Sequence, residues 1–284
     1  MGWLVGSSTY DIISVSDDEL IVRIIQAGDG FAWYHKFTST KPTQDAGYVY
    51  NDLVWEDDFN TDGAPDATNW TYDLGTTDTF GNNGWGNGEL QTYTNNAENV
   101  KVEGGSLKIT AKSDGSGGYT SARLKSQGLR KFPYGRIEVR AKLPASAGTW
   151  PAIWMLGSNY TTVGWPTCGE IDIMEQTGAN KDNTLGTLHW YNTTANSNAS
   201  YGETTAVADA SSDFHLYTVE WSDTSIKIYL DDVSFFQMDN DSTLPFNADF
   251  FMILNIAMGG TLGGDIDPGF TEDTMEIDYV KVFQ

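Results

Sequence analysis

At 284 residues the chain has room for one large all-β domain or two ordinary ones, and its 39 acidic against 16 basic residues give a formal charge of −23. That charge repels phosphate backbones and anionic lipid, which excludes nucleic acid and membrane surfaces as partners and leaves a neutral ligand, or solubility in salty surroundings, as its use. The single Cys168 excludes an internal disulfide, no Cys/His spacing resembles a zinc site, and no apolar run approaches transmembrane length.

The first strands expected are residues 10–15, 19–25 and 31–37, with turns at Ser16-Asp17-Asp18 and Gly28-Asp29-Gly30. Three strands make a small meander that buries little surface alone. Residues 1–48 therefore read as a short N-terminal β segment, or the remnant of an upstream domain, ending in the polar linker 39–47. From Leu53 onward turn signals recur at intervals suited to a sandwich. Paired Gly104-Gly105 between Val100-Lys101-Val102-Glu103 and Leu107-Lys108-Ile109-Thr110 predict a hairpin. Residues 136–143 alternate Ile137, Val139, Ala141 and Leu143 against Arg136, Glu138, Arg140 and Lys142, so one face is buried and the other wet. Residues 214–221, 225–230, 250–256 and 275–282 repeat the theme. The fold class expected for 49–284 is all-β: a jelly-roll sandwich of two antiparallel sheets with a concave cleft.

Gly169-Glu170-Ile171-Asp172-Ile173-Met174-Glu175 is the least economical stretch, because like charges crowded on a β-prone segment repel and lose hydration. In a strand Glu170 and Asp172 share a face, but Glu175 falls out of phase and would join Ile171 and Ile173 in the core. A one-residue bulge at Ile173-Met174 restores it, leaving Ile171 and one of those two for the core. Three carboxylates on one face suit glycoside hydrolysis, in which a retaining pair stands about 5–5.5 Å apart and mutual repulsion raises one pKa. A calcium site and a solvated strand edge are the alternatives, although calcium is usually held on turning loops.

The stretch 164–175 resembles the signature of glycoside hydrolase family 16, laminarinase branch. Further segments resemble the family in its order: Trp55-Glu56-Asp57-Asp58-Phe59-Asn60, Trp85-Gly86-Asn87-Gly88-Glu89-Leu90-Gln91, Tyr119-Thr120-Ser121-Ala122-Arg123, Trp150-Pro151-Ala152-Ile153-Trp154, Gly186-Thr187-Leu188-His189-Trp190 and Glu276-Ile277-Asp278-Tyr279-Val280. The resemblance covers 53–284 and implies a retaining endo-β-1,3-glucanase acting on a laminarin-like polysaccharide. Glu170 would be the nucleophile, Glu175 the acid/base, and Asp172 would tune both. Trp85, Asn87, Arg123, Trp150, Trp154 and His189 would bind substrate, His189 near the acid/base. For Trp150, Trp154 and His189 a place in the core is the plain alternative, and for Arg123 a strand salt bridge.

The resemblance also implies a structural calcium ion held by Asp58, the Gly105 carbonyl and Asp278, with no organic cofactor. It implies a monomer that is secreted or at the cell surface, its signal sequence not being present in this chain. Mixed-linkage glucan, a marine galactan or a non-catalytic glycan-binding role are the alternatives; few basic residues argue against sulfated galactans, and the complete acid set against a non-catalytic module. Gly259-Gly260-Thr261-Leu262-Gly263-Gly264 departs from the family's Gly-Gly-x-Trp-Pro-Gly, so a stacking contact expected there is missing.

Overall fold

Alternating apolar and polar residues broken by glycine turns can bury their apolar face only by stacking sheet on sheet. The computed structural model describes residues 48–284 throughout and, ahead of them, the strands β1 (Tyr10–Val15), β2 (Glu19–Ile25) and β3 (Ala32–Thr38). These three pair antiparallel in the order β1-β2-β3 as a sheet of their own. The turns and linker expected between and after them lie outside the described residues.

The chain continues through β4 (Leu53–Asp57), β5 (Thr71–Asp73), β6 (Gln91–Tyr93), β7 (Val100–Val102), β8 (Leu107–Ser113), β9 (Tyr119–Ser121) and β10 (Arg123–Lys125). It then forms β11 (Gly135–Lys142), β12 (Thr149–Gly157), β13 (Glu170–Glu175), β14 (Asn183–Asn192) and β15 (Ser197–Ala206). The last strands are β16 (His215–Trp221), β17 (Ser225–Leu230), β18 (Val233–Asp239), β19 (Phe250–Met258) and β20 (Glu272–Phe283). Two single-turn helices, α1 (Tyr160–Val163) and α2 (Gly260–Gly263), interrupt them.

Seven strands form one sheet in the order β15-β14-β13-β12-β19-β10-β5, and ten form the other, with β18-β17-β16-β11-β20-β8-β9-β6 as its path and β4 and β7 attached to β20 and β8. All named pairs are antiparallel except β6 with β9. The hairpin predicted at Gly104-Gly105 joins β7 to β8, with Val102 opposite Leu107.

The core lies between the sheets. In β11 Ile137, Val139 and Ala141 are fully buried, each branched side chain contributing about 1.5–3 kcal/mol. The opposite face carries ion pairs, Arg136 with Glu138 along the strand and, across the ladder, Arg136 with Glu220 and Lys142 with Glu276. The central strands β12 and β19 are buried on both faces, so their periodicity is masked. Their inner residues, including Ile153, Met155, Leu254 and Ile256, fill the core, while Trp150, Trp154, Asn255 and Ala257 line a cleft on the outer face of the seven-stranded sheet.

Candidate active site

The cleft floor depends on a register shift. Against β12, Asp172 pairs with Trp154, Met174 with Ile153 and Glu175 with Ala152, so Ile173 is passed over. Against β14, Asp172 pairs with Thr187 and Glu175 with Leu185, leaving Ile173 and Met174 opposite Gly186 alone. Two residues facing one is a β-bulge, and it returns Glu175 to the face of Glu170 and Asp172. A Cβ on Gly186 would stand 2.7 Å from Ile228 Cδ1, so a side chain facing the bulge would require Ile228 to shift. The bulge predicted from sequence is present, with one correction: both Ile173 and Met174 are fully buried, because the kink turns both inward.

All three acids line the cleft, which encloses about 580 Å³. Glu170 Oε2 accepts a hydrogen bond from Trp165 Nε1 at 3.1 Å, and Glu175 Oε1 accepts one from Trp150 Nε1 at 2.9 Å. Asp172 is 3 % exposed, and its Oδ2 accepts no hydrogen bond among the described residues. His189 pairs with Glu170 across β13 and β14; its Nε2 lies 3.4 Å from Asp172 Oδ2 and 3.9 Å from Glu170 Oε1. The imidazole was expected near Glu175 and does act on it, but the carboxylates within 4 Å of its Nε2 are those of Asp172 and Glu170.

Burial raises all three acids, because a dry site penalises the charged form. Glu170 is pushed up to about 8, by burial first and then by the Asp172 charge, while His189 opposes the rise. Asp172 stands well above the usual carboxylate range, through burial and the charge of Glu175. Glu175 is raised by burial and held back by His189 and by the Trp150 hydrogen bond. Cys168, beside this strand, is fully buried and its thiol is pushed up to about 12, which makes it a packing residue.

Aromatic rings wall the cleft. The Arg123 guanidinium lies between two of them, 4.6 Å from the Trp85 ring and 4.7 Å from the Trp154 ring, and its Nε donates to Asp73 at 3.0 Å. It is therefore both a strand ion-pair partner and part of the wall. Trp85 takes a positive φ of 53° and is held by a hydrogen bond to the Gly75 carbonyl at 3.3 Å. Gly84 precedes it because a Cβ there would lie 2.9 Å from the Glu89 backbone nitrogen. Trp154 Nε1 donates to Asn255 Oδ1 at 2.8 Å, which fixes its ring. Asn87 lines the cleft while its amide donates to Glu89 at 3.1 Å.

Sequence reasoning missed several cleft residues. Glu89 is a fourth carboxylate in the cleft and is buried, accepting from Asn87, Gln91 Nε2 at 2.6 Å and Tyr93 OH at 3.1 Å. Phe80 is exposed and packs edge-on against Tyr160 at 5.2 Å, forming with Asp78 one rim of the cleft. Glu89 and Trp165 stand inside recognisable motifs, which was the available signal; nothing in the sequence brings residues 78–80 to α1.

The expected calcium positions lie apart from the cleft, around β20. Asp57 pairs with Val280 and Leu107 with Ile277, so the segments that carry Asp58 and Gly105 run along the same edge of β20, beside the stretch that holds Asp278. This all-oxygen donor set fits a hard cation. Asp278 Oδ2 also accepts from Arg140 Nη1 at 2.7 Å, leaving its second oxygen, and Asp58 accepts from Asn60. Where the expected aromatic is missing the chain forms α2, and Thr261 Oγ1 donates to the Asn87 carbonyl at 3.0 Å, tying α2 to the Trp85 turn.

Comparison with known proteins agrees with this geometry. Residues 87–281 match the model of glycosyl hydrolases family 16. The chain is 40 % identical over 249 residues to a beta-glucanase of Rhodothermus marinus, covering 82 % of this chain and 85 % of that one. It is 37 % identical over 254 residues to a glucan endo-1,3-beta-glucosidase of Cryptopygus antarcticus, covering 81 % and 90 %. Among solved structures it resembles a LamA variant from Zobellia galactanivorans in complex with laminaritriose and laminaritetraose, with a TM-score of 0.76, 43 % identity and coverage of 83 % of this chain and 100 % of that one. With the bulged acid strand, the aromatic-walled cleft and these matches together, the chain belongs to glycosyl hydrolases family 16.

Proposed function

We propose that this protein is a retaining endo-β-1,3-glucanase that cleaves laminarin-like glucan through a glycosyl-enzyme intermediate. The observation that carries the reading is the bulge at Ile173, which sets Glu170, Asp172 and Glu175 on one face of a cleft walled by Trp85, Trp150, Trp154 and Trp165. The similarity to a beta-glucanase of Rhodothermus marinus and a glucan endo-1,3-beta-glucosidase of Cryptopygus antarcticus supports the substrate class.

In the first step a Glu170 oxygen bonds to the anomeric carbon as the glycosidic C–O bond breaks, and Glu175 passes its proton to the departing oxygen. In the second, Glu175 takes a proton from water, whose oxygen displaces Glu170 with a second inversion, so the configuration is retained. Glu170 must be ionised for attack. Asp172, the least exposed of the three, is the group best suited to keep its proton. A neutral Asp172 removes the second-largest influence raising Glu170, whose anion is then supported by the Trp165 N–H and His189.

Pyranose C–H faces stack on indole rings, so the Trp walls would hold the chain, with Arg123 and Asn87 offering donors to hydroxyls. Asp58, the Gly105 carbonyl and Asp278 would hold a calcium ion, which supplies cross-bracing of three chain segments and no step of the reaction. A polymeric substrate that cannot cross a membrane supports a secreted or cell-surface enzyme, and we propose that it works as a monomer.

The deciding experiment compares the parent protein with Glu170→Gln on laminarin, lichenan and agarose by reducing-sugar release. The expected result is turnover of laminarin by the parent and a loss of at least about 10³-fold in the variant. A variant that hydrolyses laminarin at the parental rate overturns the assignment.

A further inference from the structure

One contact in the cleft is left unexplained by hydrolysis. Asp172 Oδ2 is buried with no hydrogen-bond donor among the described residues, yet His189 Nε2 stands only 3.4 Å away. A nitrogen–oxygen hydrogen bond would close to about 2.7–3.2 Å. Two ligands of one tetrahedral metal with bonds of about 2.0–2.2 Å stand roughly 3.3–3.6 Å apart, so this pair is already at ligand spacing and the third donor needs only a small side-chain movement to join it. Glu170 Oε1 lies 3.9 Å from the same nitrogen, and one ligand atom from each of Glu170, Asp172 and His189 lies within 4.8 Å of the other two.

We propose that Glu170, Asp172 and His189 form a binding site for a zinc-class divalent cation, and that this cation competes with glucan for the cleft. Two carboxylate oxygens and an imidazole nitrogen leave a fourth position open to the cleft for water. The imidazole favours zinc over calcium or magnesium, which take oxygen ligands. The donors are held in advance, because β13 and β14 are in register at both Glu170–His189 and Asp172–Thr187. The chain's charge of −23 concentrates cations at its surface. At pH 7 binding of the metal displaces the protons of the Glu170 and Asp172 carboxyls to solvent, one O–Zn bond forming as each O–H bond breaks. The competition follows because Glu170 cannot both ligate zinc and attack the anomeric carbon. That half rests on the proposed role of Glu170; the binding half does not.

The test titrates zinc sulfate into the protein at pH 7 against a competing chromophoric chelator, with folding of every variant checked by circular dichroism. His189→Gln and Asp172→Asn are expected each to weaken zinc binding at least about tenfold. His215→Gln is expected to leave it unchanged; that imidazole, at the start of β16, sits 3.2 Å from Asp209 and 2.7 Å from Asp231 and is the rival site. In the parent, zinc is expected to raise the apparent KM for laminarin at constant kcat, and laminaritetraose to weaken zinc binding. Equal zinc affinity in parent, His189→Gln and Asp172→Asn, or a loss confined to His215→Gln, overturns the site. Zinc inhibition that lowers kcat at saturating laminarin overturns the competition. If the parent does not cleave laminarin, the proposed function fails while the chelator titration still decides the site.

Discussion

Trp150 Nε1 donates to Glu175 Oε1 at 2.9 Å, so a ring that walls the cleft also sets the proton affinity of a carboxylate on its floor. Burial raises Glu175, and this bond to the anion opposes the rise. Trp150→Phe keeps most of the ring and deletes the donor. The alkaline limb of the kcat/KM profile, which reports loss of the Glu175 proton, is expected to move to higher pH. A limb that stays in place would break the link between the two residues.

Deleting Ile173 leaves Glu175 two positions after Asp172, on the same face, and gives β12 and β14 an unbroken register. Laminarin hydrolysis is expected to persist within about 100-fold, with stability lower by roughly 2–4 kcal/mol for the lost buried side chain. Deleting Ile173 and Met174 together turns Glu175 into the core, and both activity and cooperative urea unfolding should vanish.

Glu170 is an acid whose folded-state pKa is raised from 4.5 to about 8. Between those values the folded state keeps a proton that the unfolded chain releases, so stability is full below about 4.5 and falls as pH rises through the window. Glu170→Gln removes the liability. Differential scanning fluorimetry at pH 8 should show a Tm roughly 2–6 °C above the parent, closing near pH 4.5. An equal gap at both pH values would assign the gain to packing instead.

Arg123→Lys keeps a cation for Asp73 but loses the planar group between Trp85 and Trp154. The expected outcome in Michaelis–Menten kinetics is a KM for laminarin about tenfold higher, for about 1.4 kcal/mol of lost stacking and positioning, with kcat within about threefold.

Chelation with EDTA should lower Tm by a few degrees, and added calcium chloride should restore it. In Asp278→Asn the response to both should disappear. A parent insensitive to EDTA and calcium would exclude a structural calcium at Asp58, Gly105 and Asp278.

The strand pattern of 53–284 was legible because side-chain alternation is a local property, as in β11, where Ile137, Val139 and Ala141 are buried just where the period of two puts them. The same counting found that Glu175 is out of phase and needs a bulge. The acid set and much of the cleft wall followed from short motifs. Counting did not show that Ile173 and Met174 both turn inward, which depends on the packing of β13 against its neighbours.

The sequence by itself determined the sandwich and the phase of its three acids, because both are set by neighbours a few residues away. Only the tertiary structure decided that His189 stands against Asp172 and Glu170, that Glu89 is held by Gln91 and Tyr93, and that Phe80 meets Tyr160. Those contacts depend on cross-strand register and on loops from distant parts of the chain closing over one sheet, and no local periodicity encodes where two such segments meet.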